Sequence, residues 1–218
     1  MLDDISIAVA NLLIKIQAIE FRFDPPFTYT TGLKSPIYLD NRLVLSHPHT
    51  REFVVDYYAQ AIEKKIGRKN VEWISGTASA AIPYASLIAS ELRLPMVYVR
   101  PSTKLYGKGN QMEGFLPKGK KVLIVEDHIS TGTSIIDNAN IIRKNGGIVT
   151  QCIATTTYEL PVADRNFKEN GIKPFTLTTG KIMCEVAYKN KLLTKKQKDL
   201  VDDWLEDAPG WGKKHGFE

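Results

Sequence analysis

The chain has 218 residues, of which 43% are hydrophobic and 24% are charged, a composition that is typical of a globular protein with one core and excludes a fibrous or disordered chain. No run approaches the roughly 18 apolar residues of a membrane span, and the N-terminus carries acids where a signal peptide would be basic, so we expect no membrane association. The formal net charge of +5 favours anionic partners. Because the basic residues are scattered, with no arginine-rich arm or zinc finger, small anionic substrates explain this charge and we expect no nucleic-acid partner, although charge alone does not decide.

The N-terminal third of the chain predicts two helices separated by an irregular segment. Apolar residues recur at helical spacing over residues 2–19 and again over residues 50–65. Residues 20–41, the aromatic arm, are instead rich in aromatic residues, threonines and turn formers. This composition predicts short strands and loops.

The rest of the chain alternates between strand and helix patterns. The predicted strands cover residues 71–75, 95–99, 122–125 and 148–155, and the predicted helices between them cover residues 79–92 and 135–144. After residue 174 we expect a short strand, two helices and a loose tail that starts at residue 207. Strands that alternate with helices of ten or more residues predict an α/β fold with a mostly parallel sheet flanked by helices.

Residues 122–134, VLIVEDHISTGTS, are the most informative part of the sequence. Four apolar β-formers predict a strand buried on both faces, followed by an acid pair, Glu126 and Asp127. The next small residues run into a helix, where backbone N–H groups and the helix dipole favour an anion. These residues, the phosphate loop, are Ser130, Thr131, Gly132, Thr133 and Ser134.

The acid pair restricts the anion that this loop can bind. Carboxylates repel a polyphosphate, and the Gly-x-x-x-x-Gly-Lys-Ser/Thr pattern of a nucleoside-triphosphate loop is absent. A sugar phosphate fits better, because the loop can hold the phosphate while the carboxylates accept hydrogen bonds from ribose hydroxyls. The alternative is an ordinary strand–turn–helix with a serine-rich cap.

Two further segments are candidates for ligand contact. Residues 76–83, GTASAAIP, are small residues at the end of a predicted strand, where a ligand can approach the backbone, although tight helix packing explains them as well. Residues 100–114, the lid, form a long polar segment that contains Arg100, Lys104 and Lys108. A loop of this length without secondary structure is often a functional lid; the alternative is a surface loop with solvated charges.

The run 122–134 matches the signature of the type I phosphoribosyltransferases. Together with FTYTTGLKSPIYLDNRL at residues 27–43 and the lid sequence, it makes the chain similar to the bacterial orotate phosphoribosyltransferases, through about residue 158 and more weakly beyond. The resemblance implies the type I phosphoribosyltransferase fold in one compact unit. We expect an N-terminal helix and hood arm over residues 1–48, an α/β core over 49–173, and a C-terminal strand and helices over 174–218 that contribute to a small hood.

The resemblance also implies the reaction and its partners. The expected reaction transfers the ribosyl 5-phosphate group from phosphoribosyl diphosphate to N1 of orotate, giving orotidine 5′-monophosphate and diphosphate in pyrimidine biosynthesis. Mg²⁺ is the expected cofactor, held mainly by substrate and water rather than by protein ligands. A homodimer is expected, with the lid of each subunit reaching the site of the other. The separated cysteines, Cys152 and Cys184, favour a reducing, cytoplasmic setting.

The resemblance assigns roles to individual residues. The residues expected to act in catalysis are Arg100, Lys104 and Asp127. Those expected to bind phosphoribosyl diphosphate are Arg100, Lys104, Glu126, Asp127, His128, Ile129, Ser130, Thr131, Gly132, Thr133 and Ser134. Those expected to bind orotate are Ser130, Lys34 and Tyr38.

The sequence departs from the family pattern at three informative positions. Pro101 replaces a lysine found in one branch. Tyr106 stands where many members have a lid histidine, and Tyr158 stands where one branch has an arginine for the orotate carboxylate. Lys34 or Arg42 is the expected replacement for that arginine. The alternatives are a purine or uracil phosphoribosyltransferase and a non-catalytic regulator of the same fold. The aromatic arm favours orotate over the first, and the cations Arg100 and Lys104 favour an enzyme over the second.

Overall fold

The computed structural model describes residues 2–29, 31–100 and 111–217. Four short strands come first in the chain: β1 (Ile19–Phe21), β2 (Phe27–Thr28), β3 (Lys34–Ser35) and β4 (Ile37–Leu39). Six strands follow: β5 (Trp73–Thr77), β6 (Met96–Val99), β7 (Met112–Glu113), β8 (Val122–Ile129), β9 (Gln151–Thr157) and β10 (Lys173–Thr179). The helices are α1 (Leu2–Lys15), α2 (Pro48–Ala61), α3 (Ala81–Glu91), α4 (Thr133–Lys144), α5 (Pro161–Glu169), α6 (Gly180–Lys189), α7 (Lys195–Glu206) and α8 (Ala208–Lys214).

The central sheet has six strands in the order β10-β9-β8-β5-β6-β7. All neighbouring pairs are parallel except β6 and β7, which are antiparallel. The predicted α/β fold with a mostly parallel sheet is therefore confirmed. Because β8 lies between β5 and β9, its carboxyl end is at the middle of the sheet edge where α/β proteins bind ligands.

Hydrophobic side chains pack on both faces of this sheet. Along β8, Leu123 and Val125 belong to a cluster that includes residues of α1, α2, α3, α6 and α7. Val122 and Ile124 belong to the opposite cluster, which includes residues of α4 and α5. This alternation follows from the two-residue period of a strand and explains why the β8 sequence is apolar at every position up to the acid pair.

The aromatic arm forms two small antiparallel pairs, β1 with β4 and β2 with β3. It contacts the C-terminal region, where the Trp204 indole Nε1 of α7 donates a hydrogen bond to the Lys34 carbonyl at 2.8 Å. Among the described helices, none is long and apolar enough to cross a membrane.

The structure differs from the predicted elements in several places. The first helix ends at Lys15 and not at residue 19, because Ile19–Phe21 pairs with β4 as a strand. The strand predicted over residues 122–125 continues to Ile129, so the acid pair lies within the strand. Helix α5 was not predicted. The tail predicted to be loose instead forms α8, because Asp207 caps its first turn and Trp211 is buried.

Candidate active site

The acid pair lies at the carboxyl end of β8. Glu126 is 7% exposed, and one of its carboxylate oxygens accepts a hydrogen bond from the Asp127 backbone N–H at 3.0 Å. Burial, followed by the neighbouring Asp127 charge, raises the pKa of Glu126 well above its usual range, and burial also raises the pKa of Asp127. Two adjacent carboxyl groups in this setting hold a proton more tightly than exposed acids and are ready to accept hydrogen bonds from a polar ligand.

A residue of the aromatic arm fixes the backbone of the acid pair. The Asn41 side-chain amide donates hydrogen bonds to the Asp127 carbonyl and to the Thr156 hydroxyl, each at 2.7 Å. Asn41 is 2% exposed, and its backbone carbonyl accepts a 2.6 Å hydrogen bond from the Tyr84 hydroxyl. The arm is therefore tied directly to β8 and β9 beside the acid pair.

The phosphate loop turns from β8 into α4 at Gly132. This residue has a φ of +78°, and a Cβ placed on it would lie 2.8 Å from the Phe167 ring of α5. The Asn166 side chain of α5 donates a hydrogen bond to the Thr131 carbonyl at 2.9 Å. The first amides of α4 have no acceptor within their own helix, so this clamped loop presents N–H groups suited to a phosphate.

His128 and Ile129 complete β8 on opposite sides. The His128 Nδ1 lies 2.9 Å from the Thr156 hydroxyl, and its ring meets the Tyr158 ring edge-on with centroids 4.3 Å apart. Burial lowers the pKa of His128 to about 4, so the ring is neutral near pH 7. Ile129 is 2% exposed and packs in the hydrophobic cluster with α4 and α5, so its side chain does not face a ligand.

A cavity of about 620 Å³, the base cavity, opens beside the phosphate loop. Its walls come from the aromatic arm, the end of β8, the start of α5 and the junction of α7 with α8. The predicted site residues that line it are Tyr38, His128, Ser130 and Thr131. Its size and its mostly apolar wall with a few polar groups suit a small planar ligand.

The two cations that were expected to reach the orotate carboxylate lie elsewhere. Neither Lys34 nor Arg42 lines the base cavity. The Lys34 ammonium donates a hydrogen bond to the Thr28 hydroxyl at 3.1 Å, and Arg42 donates two hydrogen bonds to Asp40, at 2.6 and 2.9 Å. Tyr158 lines the cavity, but its hydroxyl lies 2.9 Å from that of Tyr29.

A second cavity of about 390 Å³ lies on the other side of the phosphate loop. It brings together Thr77 and Ala78 at the end of β5, Arg100 after β6, and Ser134 of the loop. Arg100 also forms an ion pair with Glu113. The small residues predicted to contact a ligand thus lie beside the first lid residue. Pro101, Lys104, Tyr106 and Lys108 lie outside the described residues.

The carboxylate oxygens of the acid pair are ligands of the type that a magnesium ion prefers. Within residues 2–29, 31–100 and 111–217, no group of three or more His, Cys, Asp or Glu side chains is placed to hold a metal. The acid pair offers two carboxylates. Mg²⁺ commonly keeps several waters and binds through one or two carboxylates plus substrate phosphates, so two carboxylates are enough.

Three residues of the site were missed in the sequence. Thr156 lies in a buried strand and gave no signal, and Asn41 was noted only as part of a motif. Arg165 lines the base cavity from α5. That helix carries a signal that should have been recognised, because Pro161 stands at its first position and Ala163 and Phe167 are buried four residues apart.

A parallel sheet with an acid pair and a phosphate loop at the end of a central strand defines a phosphoribosyltransferase. The family model described as "Phosphoribosyl transferase domain" matches residues 45–158, just over half of the chain.

Comparison with individual proteins narrows the class. The chain is 41% identical to the orotate phosphoribosyltransferase of Streptococcus pyogenes and 39% identical to that of Coxiella burnetii, in each case over 93% of this chain and 96% of the relative. The solved structure of orotate phosphoribosyltransferase from Aeropyrum pernix superposes with a TM-score of 0.73 at 26% identity, covering 85% of this chain and 99% of that one. The Leishmania donovani UMP synthase structure shares the fold, with a TM-score of 0.77 at 24% identity over 92% of this chain and 42% of that one. The chain belongs to the orotate phosphoribosyltransferase family.

Proposed function

We propose that this chain transfers the ribosyl 5-phosphate group of phosphoribosyl diphosphate to N1 of orotate, in pyrimidine biosynthesis. A bond forms between N1 and C1′ of the ribose, the bond from C1′ to the diphosphate oxygen breaks, and diphosphate leaves with the electron pair. The proton on N1 passes to the departing diphosphate or to water. The observation that carries the proposal is the acid pair at the end of β8, flanked by the phosphate loop and the base cavity. This arrangement accommodates a phosphate, a ribose and a base side by side.

Each part of the site has a distinct role in this reaction. The phosphate loop holds the 5′-phosphate through the amides at the start of α4. Glu126 and Asp127 accept hydrogen bonds from the ribose hydroxyls, and the negative charge of the pair, carried mainly by Asp127, stabilises the positive charge that develops on the ribose as diphosphate leaves. Arg100, at the second cavity, and Lys104 neutralise the departing diphosphate.

The base binds in the base cavity, under a hood made by the aromatic arm and the C-terminal helices. Tyr38 and Ser130 line this cavity and supply contacts to the base. The Lys34 ammonium would have to leave the Thr28 hydroxyl to reach the base.

Magnesium is the proposed cofactor, and when bound to substrate oxygens it neutralises charge on the diphosphate. Glu126 and Asp127 would be its contacts in the protein. We also propose that the protein acts in the cytoplasm as a homodimer in which the lid of each subunit completes the site of the other. The proposed reaction supports a lid that closes over the site, because a transferase that releases diphosphate must exclude water while the ribosyl group is reactive.

Base consumption tests the proposal directly. Purified protein is incubated with phosphoribosyl diphosphate, magnesium and, in separate reactions, orotate, uracil, adenine or hypoxanthine. We expect loss of orotate with matching formation of orotidine 5′-monophosphate and little turnover of the other bases. Preferred turnover of another base would contradict the substrate assignment, and no turnover of any base would favour a non-catalytic regulator.

A further inference from the structure

Helix α5 places one cation at the wall of the base cavity. Arg165 lines this cavity together with Pro161 and Val162 of the same helix. The position of α5 is set by the phosphate loop, because Asn166 donates to the Thr131 carbonyl at 2.9 Å. The buried Phe167 ring also packs directly beneath Gly132. Arg165 is therefore carried by a helix that is docked against the loop proposed to hold the 5′-phosphate.

The other groups of the cavity wall do not supply a positive charge. Of the cavity-lining residues that the structure describes, Arg165 is the only lysine or arginine. The Nδ1 atom of His128 is already within hydrogen-bond distance of the Thr156 hydroxyl, at 2.9 Å. The acids at the cavity come from a separate part of the wall, the junction of α7 and α8, where the Asp207 carboxylate accepts a hydrogen bond from Gly210 N–H at 3.2 Å.

The guanidinium of Arg165 is available for a ligand. Arg165 is exposed to solvent, and it takes part in none of the ion pairs between described residues. An unpaired arginine beside a mostly apolar cavity is a natural partner for a carboxylate, because its planar fork can donate two parallel hydrogen bonds to the two oxygens.

We propose that Arg165 is a specificity-determining residue that binds the carboxylate of the pyrimidine base. This inference rests on the proposed function, since the carboxylate is the group that distinguishes orotate from uracil. Tyr158 stands where one branch of the family has an arginine for this carboxylate, and Arg165 supplies the positive charge that the tyrosine lacks. The contact persists in the product, because orotidine 5′-monophosphate retains the carboxylate.

Comparing the binding of two nucleotides, one with and one without the carboxylate, to wild type and matched variants isolates the carboxylate contact. Binding of orotidine 5′-monophosphate and of uridine 5′-monophosphate, which lacks the carboxylate, is measured by isothermal titration calorimetry. The proteins are wild type, Arg165→Met, Arg165→Lys and the control Lys168→Met. Lys168 is an exposed cation of the same helix that does not line the cavity.

We expect Arg165→Met to weaken orotidine 5′-monophosphate binding by about tenfold, a modest loss for a charged hydrogen bond because the side chain is exposed. Uridine 5′-monophosphate binding should remain unchanged, Arg165→Lys should recover part of the loss, and Lys168→Met should bind both ligands as wild type does. Under saturating phosphoribosyl diphosphate, the KM for orotate should rise in Arg165→Met while kcat changes little.

An equal loss for both nucleotides would show a structural role, and no loss for either would show that Arg165 does not contact the base. Each result overturns the inference while leaving the proposed function intact, provided that the wild-type protein consumes orotate. If the wild-type protein fails to consume orotate, the proposed function itself fails and the inference falls with it.

Discussion

Asp127 is held on the rigid end of β8 with its carbonyl bonded to Asn41 and its carboxyl group partly buried. In the proposed reaction this carboxylate faces a ribose that gains positive charge only as diphosphate departs. A charge that interacts most strongly with the transition state contributes to turnover more than to ground-state binding.

Asp127→Asn is therefore predicted to reduce kcat more than it weakens substrate binding. The change preserves shape and removes one charge, and we expect a fall in kcat of roughly 100-fold, comparable to the loss of one preorganised electrostatic contact. Steady-state kinetics with both substrates varied separate kcat from KM.

The stability of the same variant is the control. Because burial raises the pKa of Asp127, the folded protein does not favour its charged form, so the variant should unfold no more easily in urea than wild type. Unchanged turnover would contradict the electrostatic role.

His128 makes the stability of the fold depend on pH. Its pKa is lowered to about 4 by burial, against about 6.5 in an unfolded chain. Between these values the unfolded chain binds a proton that the folded chain does not, so the free energy of unfolding falls as pH decreases through this window. The loss amounts to at most roughly 3 kcal/mol, and it vanishes above about pH 6.5.

His128→Leu should remove this part of the pH dependence. Urea unfolding at pH 7 and pH 4.5 gives, for each protein, the change in the free energy of unfolding between the two pH values. We expect this change to be smaller for the variant than for wild type. His49→Gln is the control, since that side chain is 96% exposed, and it should keep the wild-type dependence. If the free energy of unfolding changes equally between pH 7 and pH 4.5 in all three proteins, the pKa of His128 is not lowered in the folded state.

At the scale of elements, Gly132 joins β8, α4 and α5. Gly132→Ala would force a left-handed backbone on a residue with a side chain, which costs roughly 1–2 kcal/mol. Its Cβ would also overlap the Phe167 ring, at 2.8 Å. We expect a total loss of stability of roughly 2–4 kcal/mol and a raised KM for phosphoribosyl diphosphate, because the loop amides shift with the turn.

A double variant separates the two causes. Phe167→Leu removes the overlapping ring atoms but not the backbone strain, so the stability cost of Gly132→Ala combined with Phe167→Leu should be smaller than the sum of the two single costs. Strictly additive costs, measured by urea unfolding, would show that the ring does not constrain the loop.

The elements with strong local patterns were predictable from the sequence. The apolar run of β8 and the amphipathic residues of α4 have the periods of a strand buried on both faces and of a surface helix. The end of β8 was misplaced because Glu126 and Asp127 are poor strand formers locally, and their strand geometry comes from pairing with β9. The C-terminal α8 was missed because one proline and two glycines stand among its seven residues, while its order comes from the burial of Trp211.

The site was predictable to the extent that it lies in one segment. The phosphate loop and acid pair are contiguous, so their sequence shows them together. The contacts of Asn41 with Asp127 and Thr156 join residues 86 and 115 positions apart, and no local pattern encodes such pairs. The same holds for Arg165, which reaches the base cavity only because α5 docks on the phosphate loop.

At the scale of the whole molecule, the site is assembled at one edge of the sheet from segments spread along the chain. The aromatic arm, the ends of β5 and β8, the start of α5 and the α7–α8 junction all contribute walls to the two cavities. Arg100, the first residue of the lid, reaches the second cavity from its own chain. The proposed homodimer adds Lys104 from the partner's lid, and mixed dimers can test this sharing.

Lys104→Ala and Asp127→Asn proteins should each be nearly inactive alone. After subunit exchange, one site of every mixed dimer would combine an intact lid with an intact acid pair, and the other site would carry both changes. Since random exchange of equal amounts makes half of the dimers mixed, we expect about a quarter of wild-type activity to return. Native mass spectrometry verifies the exchange, and wild-type protein carried through the same steps controls for losses. If mixed dimers form without recovery of activity, Lys104 acts within its own chain, and an active monomer in sedimentation experiments would exclude a shared lid altogether.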